Sequence, residues 1–180
     1  SSYSTTSGGN NTAIGTYSFY TNTSGADNVA VGHQANFYNT TGSNNVSIGK
    51  GALQANTTAS NNSALGFHSL YSNTTGTANV AIGYASMAIN STASNNTAVG
   101  YEAGYSNTTG ANNPATGTQA LRGNTTGNYN SAFAEGALYT NSTGSNNVAV
   151  GRLALYSNTT ASDNTAVGYA ALTSNTTGAR

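Results

Sequence analysis

The sequence predicts an all-β chain, a parallel β-solenoid (β-roll or β-helix) of ten 17-residue coils with two short strands per coil. Three observations carry that expectation. The chain divides without a gap into ten rows of 17 residues from Asn10 to Ala179, each row repeats one order of small, apolar and turn-forming residues, and almost nothing is charged. Only 4% of the 180 residues are Asp, Glu, Lys or Arg, against roughly 25% in a typical globular protein. Val, Ile, Leu and Tyr nonetheless recur at fixed intervals, which a disordered chain does not show.

The rows read NNTAIGTYSFYTNTSGA first, NNTAVGYEAGYSNTTGA sixth and NNVAVGRLALYSNTTAS ninth. Residues 1–9 fit the tail of a preceding row and Arg180 the start of another, so the array is expected to be in mid-repeat at both ends. Taking the 17 positions of a row as columns, column 2 is Asn throughout: Asn11, Asn28, Asn45, Asn62, Asn79, Asn96, Asn113, Asn130, Asn147 and Asn164. Column 4 is Ala or Ser, and column 5 is Val, Ile or Leu except at Thr116 and Phe133. Column 6 is Gly except at Ala134; column 9 is Ala or Ser; column 10 is most often Leu. Columns 13 to 15 read Asn followed by two Thr or Ser residues, and column 16 is Gly or Ala.

Gly at columns 6 and 16 and Asn at column 2 mark turns, because both residue types tolerate positive φ. The stretches between them, columns 3–5 and 8–12, alternate small and large residues as strands do. Helices are excluded by the short Gly-bounded segments and by the poor helix propensity of Asn-Thr-Thr-Gly. Stacked coils put equivalent residues in register about 4.8 Å apart, so column 2 becomes an Asn ladder whose amides bond along the axis. Alternation places column 5 opposite column 4. Val31, Leu65, Val99 and Val167 then form an exposed apolar stripe along which several chains, three for preference, pack. The competing arrangement puts columns 5 and 10 in the core and the Ala columns at corners.

The stretch Asn95 to Tyr101, Asn-Asn-Thr-Ala-Val-Gly-Tyr, resembles the head repeats of trimeric autotransporter adhesins, whose Asn-x-x-Ala-Ile-Gly core lies on a left-handed parallel β-roll. The longer unit running through Ala-Leu-Tyr-Ser-Asn-Thr-Thr-Gly is similar to repeats of phage tail-fibre proteins and large bacterial surface proteins. The resemblance covers Asn10 to Ala179 and implies an extracellular solenoid.

Candidate chemistry is sparse. His33 and His68 stand two coils apart, Glu102 is two coils further on, and Asp27 and Asp163 are eight coils apart. Glu135, Lys50, Arg122 and Arg152 read as solitary solvated charges that limit aggregation. No catalytic constellation can be drawn, so a non-enzymatic protein without metal or cofactor is expected. A net charge of zero gives no footprint for nucleic acid, and no apolar run approaches the roughly 20 residues of a membrane span. The expected partner is the chain itself, as a homo-oligomer or an end-to-end filament.

The most repeated chemical signal is the glycosylation sequon. Asn-x-Ser/Thr begins at column 13 of every row: Asn22, Asn39, Asn56, Asn73, Asn90, Asn107, Asn124, Asn141, Asn158 and Asn175. Further sequons begin at Asn10, Asn45, Asn61 and Asn95. These asparagines are either glycan acceptors in a surface turn, with the adjacent Ser and Thr as O-linked alternatives, or structural groups that bond the backbone and stack. Tyr recurs in column 11 (Tyr20, Tyr71, Tyr105, Tyr139, Tyr156) and column 7 (Tyr84, Tyr101, Tyr169), as packing ladders or as sugar platforms. The leading expectation is the rod or shaft of an extracellular fibre or filament. Behind it stand a carbohydrate-binding adhesin or receptor-binding tail-fibre shaft, and an ice-binding solenoid that uses the Thr of columns 14 and 15.

Overall fold

The computed structural model describes residues 7–178. Of the partial row expected over residues 1–9, only Ser7 to Gly9 fall within them; Ala179, the end of the tenth row, and Arg180, the expected start of a further row, lie outside. The chain winds as a parallel β-solenoid with no helix among the described residues. One three-residue strand occupies columns 3–5 of each coil: β1 Thr12–Ile14, β2 Val29–Val31, β3 Val46–Ile48, β4 Ser63–Leu65, β5 Val80–Ile82, β6 Thr97–Val99, β7 Pro114–Thr116, β8 Ser131–Phe133, β9 Val148–Val150 and β10 Thr165–Val167. They form one ten-stranded parallel sheet in chain order. Ala13 pairs with Ala30, Ala30 with Ser47 and Ser47 with Ala64, a register of one row per step.

The second strand expected over columns 8–12 is not a strand. Positive φ recurs at columns 8 and 10, with 57° at Gln34, 51° at Glu102, 53° at Leu53 and 48° at Leu70. Alternating φ signs let five residues curve round a narrow core while their peptide groups still point along the axis. The Phe19 N–H donates to the Ala35 carbonyl one coil ahead (2.9 Å), and the Gln34 N–H to the Thr16 carbonyl one coil behind (3.0 Å). Coil-to-coil bonding therefore survives without β geometry. A left-handed Leu costs roughly 1–2 kcal/mol, and burying its side chain returns about 1.5–3 kcal/mol. Burial wins.

The two arrangements of the apolar columns each hold in part. Column 4 points inward: Ala30, Ala81 and Ala132 are fully buried. Column 5 points outward, with Leu65 45% and Val167 69% exposed, while Val31 and Val99 are half-buried. Column 10 joins the core, because its left-handed backbone turns Leu53, Leu121 and Leu155 in against the Ala of columns 4 and 9. The apolar core breaks into three runs where column 10 holds no apolar side chain, at Asn36 and Gly104.

Turn chemistry also differs from expectation. Positive φ falls on column 1 (Asn44 59°, Asp163 63°) rather than on the column 2 asparagines, and the column 16 glycines have none. A side chain at Gly42 would run into the Ala59 carbonyl of the next coil and into Asn39, so column 16 is small for lack of space. Column 6 combines both constraints. Gly83 has φ 133°, and an added Cβ would meet the Gly100 carbonyl. Ala134 holds this position with φ 109°, a conformation that costs an L-residue about 1–3 kcal/mol.

Two stabilising substitutions are expected. Ala134→Gly should raise the unfolding free energy by about 1 kcal/mol, read as a higher melting temperature by circular dichroism. Asn36 is fully buried with both amide atoms unpartnered, in a column that most often holds Leu, so Asn36→Leu should add about 1–3 kcal/mol in urea titration.

Candidate functional site

The residues with the strongest repeat signal, the asparagines of columns 2 and 13, lie inside the coil. Asn45 donates its backbone N–H (2.9 Å) and one Nδ2 hydrogen (3.1 Å) to Oδ1 of Asn28 in the preceding coil. Its other Nδ2 hydrogen goes to the Ala59 carbonyl (2.9 Å), which ties the beginning of the coil to its end. Its own Oδ1 accepts from Asn62 N–H (3.0 Å) and Nδ2 (3.3 Å). Column 13 repeats the logic: Asn39 Nδ2 donates to Asn22 Oδ1 and to the Gly42 carbonyl, both at 3.0 Å, and Asn39 Oδ1 accepts from Asn56 Nδ2 at 2.7 Å. The Gly42 carbonyl also accepts from Asn28 Nδ2 at 2.9 Å, so both ladders converge on the column 16 oxygen and use both its lone pairs. Column 13 is interrupted between Asn56, whose Oδ1 has no partner, and Asn73.

This geometry corrects the column 13 glycosylation expectation. Asn22, Asn39, Asn56, Asn73, Asn90, Asn107, Asn124, Asn141 and Asn158 are buried, and Asn175 in the last coil is half-buried. A sugar on Nδ2 would displace one of two donated bonds and has no space beside the next coil. Asn45 is equally closed, whereas the column 1 sequons Asn10, Asn61 and Asn95 are exposed. The hydroxyls divide as well. Column 14 bonds into the ladder, Thr40 Oγ1 donating to the Thr57 carbonyl (3.0 Å) and Thr57 to Thr74 (3.1 Å). Column 15, Ser24 and then Thr41 through Thr177, is exposed in every described coil. The two-column Thr face expected for ordering ice is thus a single open file.

Most of the aromatic residues gather in columns 7 and 11. In column 7, Phe67, Tyr84 and Tyr101 stack at 5.2 Å spacings with interplanar angles of 8° and 9°. In column 11, Tyr20 stacks on Phe37 (5.2 Å) and Tyr139 on Tyr156 (4.8 Å). Arg122 is itself a rung of that ladder, its guanidinium 5.2 Å from the Tyr105 ring and 5.8 Å from the Tyr139 ring.

Three of the four charges read as solitary in the sequence are paired by the winding, and the fourth, Lys50, lies over the Phe67 ring at 5.8 Å. Glu135 and Arg152 are consecutive rungs of column 7 and meet at 3.1 Å. Arg122 donates through Nε to Glu102 Oε2 (2.7 Å), and Gln119 donates to the same oxygen (3.1 Å). The Arg122 bond holds the Glu102 carboxyl below the usual carboxylate range. Asp27 and Asp163 accept amide hydrogens from Asn10 (3.0 Å) and Asn146 (3.1 Å). His33 is exposed, while His68 lies on Phe67 at 3.8 Å, its pKa lowered by burial and by Lys50. Among the described residues no three His, Asp or Glu side chains gather, and no helix is long and apolar enough to cross a membrane. Comparison with known protein families, curated proteins and solved structures finds no significant match to this chain.

Two measurements follow. Asn62→Ala leaves the Asn79 N–H without its acceptor and removes one of the two donors to both Asn45 Oδ1 and the Gly76 carbonyl, and should cost about 2–4 kcal/mol in denaturant titration, far more than an exposed Asn61→Ala. Because the Glu102 pKa is depressed on folding, its pair with Arg122 contributes above the usual carboxylate range and is lost as pH falls through the lowered value. At neutral pH Glu102→Gln should lower stability by about 1 kcal/mol or less, and that difference from the parent chain should vanish on acidification.

Proposed function

We propose that this chain is a non-enzymatic structural protein, a shaft segment of an extracellular fibre or filament. The observation that carries the proposal is the saturation of each coil by its neighbours. The bonds of columns 2 and 13 recur from Asn11 to Asn175 with a break in column 13 between Asn56 and Asn73, and nothing in the winding limits how many coils can be added. Such a rod supplies length and stiffness, and backbone bonded along the axis resists proteases, which need an extended, unpaired strand. Ten strands span about 45 Å at 4.8 Å per step.

The partner is further copies of the same chain, three chains in all, packed along the outward sheet face. Ile14, Ile48, Leu65, Ile82, Phe133, Val150 and Val167 form an exposed apolar file there, which in water favours a covering surface. A file about 45 Å long and about 10 Å wide offers roughly 450 Å², short of the roughly 800 Å² per partner of a standard interface. Association therefore strengthens as coils are added, which suits a fibre. Covalent sugars have room on the exposed column 15 hydroxyls and on Asn10, Asn61 and Asn95.

Sedimentation analysis tests the assembly. The parent chain should sediment as an oligomer, and Leu65→Glu with Ile82→Glu should shift it to single rods with an unchanged melting profile. A parent chain that stays monomeric at all concentrations would count against the packed-shaft reading.

A further inference from the structure

The column 11 ladder carries Tyr71, Ala88 and Tyr105 on three successive coils, and in column 8 of the same coils stand His68, Ala85 and Glu102. At the middle coil both columns shrink to Ala, and both alanines are buried as a floor. The result is a half-open cavity of about 330 Å³, walled by Tyr71 and His68 from the coil before and by Tyr105 and Glu102 from the coil after, with Tyr84 at its side. One rung of an aromatic ladder is missing, and the rings on either side of it remain. We propose that this notch binds a pyranose sugar, its ring taking the place of the absent rung.

Spacing selects the ligand. Rings two coils apart stand about 10 Å from one another, twice the rung spacing. A flat ring there would sit about midway, as Tyr84 does at 5.2 Å from both Phe67 and Tyr101, looser than the roughly 3.5–4.0 Å of close contact. A saturated sugar ring is thicker, because axial hydrogens project from both faces, and it reaches both tyrosines. Its equatorial hydroxyls then meet the polar groups at the cavity edge, the imidazole of His68 and the carboxylate of Glu102, which Arg122 and Gln119 hold in place. A guanidinium fills the equivalent rung at Arg122, between Tyr105 and Tyr139, so a planar cation is the competing occupant. The site does not rest on the fibre reading, since a single rod carries it complete.

The test is ligand-observed NMR on the intact chain with the methyl glycosides of glucose, galactose, mannose and N-acetylglucosamine, and with ethylguanidinium as the cationic probe. At least one glycoside should show saturable binding with a Kd on the order of 1 mM, the strength a single ring attains, with saturation transferred to its axial ring protons. Ala88→Tyr, which completes the ladder with the residue found in this column of other coils, should abolish binding while the melting temperature holds or rises. Tyr105→Ala should weaken binding at least tenfold. No saturable binding by any of the four glycosides, binding that survives in the folded Ala88→Tyr variant, or binding of ethylguanidinium alone would each overturn the proposal.

Discussion

Burying a carboxamide is costly unless its oxygen and both its amide hydrogens find partners, and for the asparagines of columns 2 and 13 the partners are the same residue one coil away and the carbonyl that closes the coil. The column 16 oxygen takes one hydrogen from each of two asparagines, as Gly42 does from Asn28 and Asn39. That double acceptance fixes how the seam of the coil meets its beginning. It also constrains the repeat length: an extra residue between columns 13 and 16 would carry the oxygen out of reach of both amides, and one between columns 2 and 13 would part it from the column 2 amide. The bonds are reciprocal along the axis, so each coil is incomplete without its neighbours, and the rod is cooperative although its core is slender.

Apolar burial plays a smaller part than in a globular domain. The interior is one Leu or its equivalent per coil against the small residues of columns 4 and 9, and it lapses at Asn36 and Gly104 without interrupting the winding. Strain is distributed in the same way, with left-handed backbone at columns 8 and 10 of coil after coil. A short coil that keeps all its peptide groups parallel to the axis must turn sharply somewhere, and it does so where a large inward side chain offsets the cost.

Interior and surface therefore answer to different rules. Columns 2, 4, 6, 9, 13 and 16 are held by contacts with the next coil and vary little. Columns 7, 8 and 11 face water and carry Tyr, Phe, His, Lys, Arg, Glu, Gln and Ala by turns. Register makes the variable columns consequential, because residues a row apart become neighbours. Glu135 meets Arg152, and Arg122 slides between two tyrosines. Any individuality in such a rod resides in these columns, on a scaffold that does not change beneath them.

The period alone determined the solenoid, its register and the column 2 ladder, because a fixed spacing with an invariant Asn admits few ways for equivalent residues not to stack. The inward Ala of column 4 and the outward stripe of column 5 were legible for the same reason, strand alternation being strictly twofold. The left-handed path of columns 8–12 was not, since Leu gives no sign of positive φ; only the shape of the closed coil imposes it. Nor did the sequence distinguish a sequon in a surface turn from a buried ladder. Asn-Thr-Thr reads identically in both, and only the tertiary structure, by bringing Asn22 and Asn39 within 3.0 Å and enclosing them, spent both amide hydrogens inside the rod. The ion pairs and the notch at Ala88 belong with these, because both arise between rows, where distance along the chain says little and distance along the axis decides what touches.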